Sequence, residues 1–227
     1  MFEPLYVKEV NIEKLFDMYN YSIKFDTPAS IIMGPNGVGK SLILKLISDT
    51  VTGIKCNIPA ADSKVILTSG EELTPDTCRK AVSVYQVKMI SDLNICLKGI
   101  EYNADQINEF TSIVNETFEI TRKKIMPKDQ GFIITRNDKE ISYDVLSPNE
   151  QYFISLFFGL IFEAKNCLVL IDNFGEGLHI EVQEHLIHYL WSITSLNQLQ
   201  IIVVTHSPSV ISDSTKSIAY FNVDLVD

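Results

Sequence analysis

The 227-residue chain lacks the features that mark several specialised classes of protein. No apolar run reaches the ~18 residues that a membrane-spanning helix needs, so we expect no membrane span. The first residues do not combine a basic region with an apolar stretch, so we expect no signal peptide. The four cysteines show no C-x-x-C spacing, which argues against a zinc site and favours a reducing, cytoplasmic compartment.

Basic residues are too few for a protein that coats nucleic acid through charge alone. Lys and Arg together number 19 against 29 Asp and Glu, which gives a net charge of -10. With 46% hydrophobic and 21% charged residues, the chain has the composition of a globular domain with a full core. The acidic balance does not exclude a local basic patch, and where nucleic acid is involved we expect an indirect effect. The only dense basic run, which we interpret as a solvated helix end, is Arg122, Lys123, Lys124 and Lys128.

Alternating strand and helix patterns predict an α/β fold with a largely parallel central sheet. Short apolar runs indicate buried strands, and apolar residues at helical spacing indicate helices. The residues around 132–143 read as a hairpin, with turn-forming residues between two apolar runs. The predicted strands are 5–12, 21–25, 30–33, 64–68, 81–87, 167–171 and 201–204, and the predicted helices are 40–48, 104–124, 148–164 and 179–193.

A glycine-rich loop between a predicted strand and a predicted helix is the strongest motif. Its glycines let backbone N–H groups curl around phosphate oxygens, and the following helix N-terminus adds partial positive charge. Lys40 can reach the β- and γ-phosphates, and the Ser41 hydroxyl can ligate magnesium. The loop therefore predicts binding of ATP with Mg²⁺. It matches G-x-x-x-x-G-K-[ST] through Gly34, Pro35, Asn36, Gly37, Val38, Gly39, Lys40 and Ser41.

An apolar strand ends in Asp172, and this carboxylate is expected near the magnesium. Many ATPases place a glutamate directly after such an aspartate, as the base that orients the attacking water. Here the residue is Asn173, whose amide can hydrogen-bond a water but cannot accept its proton at neutral pH. Either hydrolysis is slow or another group supplies the base. Glu176 is the nearest candidate along the chain.

Residues 172–179, Asp-Asn-Phe-Gly-Glu-Gly-Leu-His, resemble the D-E-P-x-x-G-L-H segment of ABC-type ATPase heads of the SMC, RecF and OLD-like branch. Three other segments occur in that family's order. Residues 146–151 stand where the signature L-S-[SG]-G-[EQ] belongs, and residues 205–208 follow a buried strand as the family's switch histidine does. Gln86 would be the glutamine of the Q-loop. The resemblance spans roughly residues 4–222 and implies a P-loop NTPase of ABC-ATPase architecture.

In that family two heads close over two ATP molecules, and each phosphate loop faces the other subunit's signature. By resemblance, Ser147 and Asn149 would contact the γ-phosphate across the interface, with Asn149 in place of the family's glycine. His206 would sense the γ-phosphate and hold the attacking water. Independently of the resemblance, Ser147, Pro148 and Glu150 have the spacing of a capping box at the start of a helix.

Further site residues follow from the same resemblance. Lys14 lies where many heads of this branch carry a basic residue that touches the nucleotide. Gln86 would join Ser41 and Asp172 as a ligand of Mg²⁺.

We expect a single domain over residues 1–227. Within it, residues 1–53 and 165–227 would form the nucleotide-binding core, with an antiparallel β element near the N-terminus. Residues from about 88 to 164 would form a helical lobe that carries the signature. The interval between Ser41 and Leu146 is too short for long coiled-coil arms.

Three functions remain open from the sequence. The first is a slow ATPase that dimerises around ATP, with itself or with a related chain, and gates a partner effector; by analogy this belongs to bacterial or phage defence, or DNA repair. The second, motivated by Asn173, is an ATP-bound scaffold with negligible turnover. The third is a transport-type subunit or a repair ATPase that acts directly on DNA.

Overall fold

The computed structural model describes residues 6–175, 180–207 and 219–222. In chain order the strands are β1 (Val7–Leu15), β2 (Tyr19–Lys24), β3 (Ala29–Met33), β4 (Asp62–Leu67), β5 (Glu72–Leu73), β6 (Val84–Tyr85), β7 (Lys123–Lys128), β8 (Gly131–Arg136), β9 (Lys139–Ile141), β10 (Leu168–Ile171), β11 (Gln200–Thr205) and β12 (Ala219–Asn222). The helices are α1 (Lys40–Thr52), α2 (Ala104–Phe118), α3 (Pro148–Phe158) and α4 (Ile180–Asn197).

The described residues fall into two compact units. The first unit contains residues 6–86, 166–175, 186–207 and 219–222, and the second contains residues 87–165 and 180–185. The assignment of residues 1–53 and 165–227 as a nucleotide-binding core, and of about 88–164 as a signature lobe, stays a prediction. No helix within the described ranges is both long and apolar enough to cross a lipid bilayer.

The first unit is built on a five-stranded parallel sheet with the order β12-β3-β11-β10-β6. Every residue of β11 is buried, which suits a strand covered on both faces of a parallel sheet. A second sheet, antiparallel with the order β2-β1-β4-β5, precedes it in the chain. These sheets confirm the predicted α/β fold with a mostly parallel sheet and an antiparallel element near the N-terminus.

A buried glutamine side chain joins the two sheets of the first unit. Gln200, at the start of β11, donates from Nε2 to the Val7 carbonyl (2.7 Å) and accepts the Val7 N–H at Oε1 (2.9 Å). Both polar groups of the amide are therefore satisfied, so its burial carries little of the usual penalty. The contact fixes β1, and with it the β1–β2 hairpin, to the parallel sheet.

The glycine-rich loop connects β3 to α1 and is held by the β1–β2 hairpin. The Tyr21 hydroxyl donates to the Val38 carbonyl at 2.7 Å, and Val38 itself is buried. Gly39 caps α1 with φ 96°, and a Cβ there would lie 2.4 Å from Leu15 Cδ2. Glycine is needed here both for the positive φ and for the close approach of Leu15.

The second unit combines a three-stranded antiparallel sheet, β7-β8-β9, with α2 and α3. Helix α2 begins with a capping box between Asn103 and Gln106, and α3 continues into a π-helical turn at Gly159–Glu163. The amide of Gln106 donates from Nε2 to the Ile161 carbonyl in that turn at 2.6 Å. Aromatic rings fill the core between these elements, among them Phe110, Phe132, Phe153, Phe157, Phe158 and Phe162.

The structure corrects the sequence prediction around the basic run. The helix predicted over 104–124 ends at Phe118, and a short 3-10 turn leads to Arg122 with φ 55°. Lys123, Lys124 and Lys128 lie on β7, not at a solvated helix end. Pairing with β8 over the whole length of β7 decides this, and such a non-local interaction leaves no trace in local periodicity. The strand predicted over 81–87 is likewise reduced to Val84–Tyr85.

We expect Gly39→Ala to destabilise the chain more than Gly37→Ala. Both glycines have positive φ, but a Cβ at Gly37 would have nothing within 4 Å. Gly37→Ala should therefore lower the free energy of unfolding only by the cost of placing a Cβ at positive φ, about 1–2 kcal/mol. The Gly39 variant should lose about 1–3 kcal/mol more from the clash with Leu15. Urea unfolding measures both, and equal losses would contradict the packing argument.

Candidate functional site

The ammonium group of Lys40 lies on the inner wall of the glycine-rich loop. Its Nζ donates to the Gly34 carbonyl (2.8 Å) and the Pro35 carbonyl (2.6 Å), and the residue is only 4% exposed. Burial lowers the pKa of Lys40, and the Asp172 carboxylate opposes that shift. A phosphate oxygen would give this cation a charge-assisted partner in place of neutral carbonyls.

The segment after β10 is hydrogen-bonded to the end of β11. Asn173 has φ 52°, and its N–H donates to Asp172 Oδ1 at 3.0 Å. Phe174 is buried, and its N–H donates to the Val204 carbonyl at 2.8 Å. The Thr205 hydroxyl donates to the Phe174 carbonyl at 2.9 Å. These bonds fix the segment to the end of β11 and leave Asp172 and Asn173 exposed.

Parallel pairing brings the predicted residues of the first unit to one edge of the sheet. Met33 pairs with Thr205, so β3 and β11 end at the same level, and Ile171 pairs with Val203, so β10 ends two residues earlier. The loop, Asp172 and His206 each follow one of these strands, at the carboxyl edge where ligands bind in open α/β sheets. His206 is exposed there.

The residues predicted to ligate magnesium fit a hard cation. Ser41 is exposed at the start of α1, and Gln86 is exposed directly after β6, which runs parallel to β10. With Asp172 they offer hydroxyl, amide and carboxylate oxygens, the ligand types that Mg²⁺ prefers. Among the described residues, no group of three or more His, Cys, Asp or Glu is arranged so that it could hold a metal ion. Mg²⁺ needs only one or two carboxylates where phosphate oxygens and water complete its shell.

The end of β1 carries Lys14 and the turn after it carries Phe16, which lies close to the loop. Lys14 is exposed with φ 50°, and its backbone N–H donates to Asn20 Oδ1 at 2.9 Å. Phe16, which the sequence reasoning missed, places its Cε2 3.5 Å from where a Cβ on Gly39 would lie. Its φ of 56° is unusual for a bulky side chain. A single aromatic residue in a turn follows no sequence periodicity. The proximity of Phe16 to the glycine-rich loop is therefore seen only in the tertiary structure, where the hairpin packs on the loop.

The signature segment belongs to the second unit and forms a complete capping box, as its spacing predicts. Ser147 Oγ accepts the Glu150 N–H at 3.3 Å, and Glu150 Oε2 accepts the Ser147 N–H at 2.9 Å. The Ser147 hydroxyl lies 3.1 Å from the same carboxylate oxygen. Pro148 opens the helix, and Asn149 is exposed in its first turn. Burial alone would raise the pKa of Glu150, but hydrogen bonds from Lys123 and Ser147 outweigh burial and lower it.

Some predicted elements lie outside the described residues. They are Glu176, the alternative base, together with Gly177, Leu178, His179 and Pro208 of the two segments that carry the resemblance. The roles predicted for the remaining site residues stay predictions.

Comparison with known proteins gives a consistent fold. The family model described as "AAA domain, putative AbiEii toxin, Type IV TA system" matches residues 91–212. An SMC head bound to the C-winged helix domain of ScpA is 14% identical, with a TM-score of 0.55 over 90% of each chain. The SMC head domain from Thermotoga maritima is 15% identical, with a TM-score of 0.54 over 98% of this chain and 96% of that one.

An ATP-binding cassette of an ABC transporter, in its ADP conformation, is 13% identical, with a TM-score of 0.50 over 98% of this chain and 88% of that one. No curated protein matches the chain significantly. At these identities the likeness establishes the fold alone. It confirms the predicted P-loop ATPase fold of ABC and SMC heads.

We expect Thr205→Val to loosen the segment that carries Asp172. The Thr205 hydroxyl is buried, donates to the Phe174 carbonyl and accepts the Ser207 N–H at 3.1 Å. Its loss should lower the free energy of unfolding by about 1–3 kcal/mol. Amide hydrogen exchange over residues 172–175 should become faster. Thr194→Val is the control, because this buried hydroxyl donates within α4, to the Trp191 carbonyl. Equal exchange rates over residues 172–175 in both variants would show that the Thr205 hydroxyl does not hold this segment in place.

Proposed function

The chain belongs to the AAA-domain family whose model matches it, and from this membership we propose that it binds ATP with Mg²⁺ and hydrolyses it slowly. The observation that carries the proposal is the placement of Lys40. This buried cation sits on two loop carbonyls, within electrostatic reach of the Asp172 carboxylate. In P-loop ATPases a lysine and an aspartate so placed serve the phosphates and the magnesium.

Each residue at the carboxyl edge then has a role. The loop N–H groups of residues 34 and 36–41 (Pro35 has none) and the Lys40 ammonium bind the triphosphate, and Ser41, Asp172 and Gln86 hold Mg²⁺, which neutralises charge on the β- and γ-phosphates. His206 reports on the γ-phosphate and orients the attacking water, and Lys14 touches the nucleotide.

The residue at position 173 sets the rate. Asn173 orients a water through its amide but takes no proton, so turnover is slow. Glu176 is the alternative base in the chain. If neither acts, the chain is an ATP-bound scaffold, and Asn173 is the observation that favours this second function.

The ATP-bound state is proposed to be a dimer, formed with a second copy or a related chain. Ser147 and Asn149 at the N-terminus of α3 would contact the γ-phosphate held by the partner's loop. A capped helix N-terminus suits this role because its N–H groups and dipole attract anions. Closure around ATP would make the dimer a switch that is set by nucleotide.

The switch is proposed to gate a partner effector. The SMC head compared above is bound to a domain of ScpA, which supports a partner protein for this chain too. The family's description names an AbiEii toxin and a Type IV TA system, which supports a role in bacterial or phage defence over the alternative of DNA repair. The net charge of -10 favours an indirect effect on nucleic acid over direct binding.

We expect Lys40→Ala to abolish Mg²⁺-dependent ATP binding. Losing a buried cation that faces the phosphates should weaken affinity by on the order of 10²-fold or more. Lys45→Ala is the matched control, since Lys45 lies on the same helix but is exposed and pairs with Asp49. Calorimetric titration measures both variants. If the Lys40 variant kept its affinity for ATP, the assignment of the glycine-rich loop as the phosphate-binding site would be wrong.

We expect Asn173→Glu to raise ATP turnover, because a carboxylate can act as the missing general base. The gain should be on the order of 10²-fold. Asn166→Glu is the matched control: Asn166 also has positive φ, 49° against 52°, and is exposed outside the site. Steady-state phosphate release measures turnover. A rate that stays unchanged in the Asn173 variant would show that position 173 is not the base position.

A further inference from the structure

A largely buried ion pair stands behind the signature segment in the second unit. Lys123 Nζ on β7 lies 2.5 Å from Glu150 Oε1 on α3, with the two side chains 12% and 14% exposed. The pair between Lys128 and Glu140 in the same sheet leaves about half of each side chain exposed, at 51% and 54%. A buried pair incurs a desolvation cost that often cancels its Coulombic gain, so stability alone is a weak reason for it.

Lys123 differs from the other members of the basic run. Arg122, Lys124 and Lys128 are exposed, as expected of residues that meet solvent or an anionic partner. The Lys123 ammonium instead turns inward, 5.9 Å above the centre of the Phe118 ring and onto Glu150. Its position is therefore fixed by packing, and its charge serves Glu150.

The carboxylate of Glu150 links Lys123 to the signature serine. One oxygen, Oε1, accepts from Lys123, and the other, Oε2, accepts from the backbone and the hydroxyl of Ser147. A rigid chain of contacts thus runs from β7 through Glu150 to Ser147. If the Ser147 hydroxyl turned toward a phosphate, Glu150 would still be held by Lys123 and by the Ser147 N–H.

The negative charge of Glu150 also affects how an anion would bind at the N-terminus of α3. A carboxylate 3.1 Å from the Ser147 hydroxyl would repel a triphosphate that approaches the start of α3. It would also offset the partial positive charge of the helix N-terminus. With Lys123 in place the pair is neutral overall, so the helix N-terminus remains attractive to an anion.

We propose that Lys123 is a positioning residue for ATP-dependent dimerisation: it neutralises Glu150 and holds it so that Ser147 can receive the γ-phosphate bound by a second copy. This inference rests on the proposed dimer and names a residue outside every motif. Of the four residues of the basic run, it assigns a role in the ATP switch to Lys123 alone.

The test compares ATP-dependent dimerisation of Lys123→Met with that of Lys124→Met. Lys124 is the exposed neighbour on β7 and carries the same charge, so its variant controls for net charge. In sedimentation with Mg²⁺ and ATP, the Lys123 variant should need on the order of 10-fold more protein to dimerise, from one uncompensated charge near the phosphate. ATP affinity of the monomer, measured by titration at low protein concentration, should stay within about twofold.

A second substitution separates charge from structure. Lys123→Met with Glu150→Gln leaves no charge at the pair, and the amide still accepts from Ser147, so dimerisation should return to within about twofold of wild type. Glu150→Gln alone should dimerise at least as readily as wild type, and it tests the idea even if Lys123→Met fails to fold. A double variant as impaired as Lys123→Met, or a weaker dimer in Glu150→Gln, would overturn the proposal.

The outcomes also separate this inference from the proposed function. A wild-type chain that binds ATP but stays monomeric at all concentrations would overturn the proposed dimer, and this inference with it. A wild-type chain that dimerises no more readily than Lys123→Met would overturn the inference alone.

Discussion

Parallel pairing of β3, β11 and β10 is the constraint on which the rest of the first unit depends. β11 lies in the middle and is buried along its whole length, as expected of a strand covered on both faces of a parallel sheet. Because the three strands run parallel, the glycine-rich loop, Asp172 and His206 all follow their carboxyl ends and lie at one edge of the sheet. Hydrogen bonds also fix this edge in place. Tyr21 bonds to Val38 of the loop, and Phe174, in the segment after β10, bonds to Thr205 at the end of β11.

The left-handed backbone conformation at position 173 bears on which residue can stand there. Asn173 adopts φ 52°, a region that asparagine tolerates better than glutamate does. The amide therefore suits the turn, and under the proposed function it would stand where many ATPases carry a glutamate base. A site that binds the triphosphate firmly and breaks it slowly would spend most of its time closed, which is what a switch requires.

The second unit shows a similar coupling between packing and charge. Glu150 completes the cap of α3, and a cap that uses a carboxylate places negative charge where an anion is expected. Lys123 cancels that charge from a strand that only tertiary pairing with β8 brings there. The cost of burying both groups is understandable if the neutral pair serves the signature serine.

The sequence by itself determined the elements whose information is local. The glycine-rich loop, the apolar strands at 30–33, 167–171 and 201–204, and the Ser147 capping box are all set by neighbouring residues, through backbone freedom, burial and short-range hydrogen bonds. Tertiary structure decided the rest. β7 forms a strand because β8 pairs with it, and Lys123 faces inward because it forms an ion pair with Glu150. Phe16 lies next to Gly39 because the β1–β2 hairpin packs on the loop. Each of these depends on residues distant in the chain, whose contacts local periodicity does not encode.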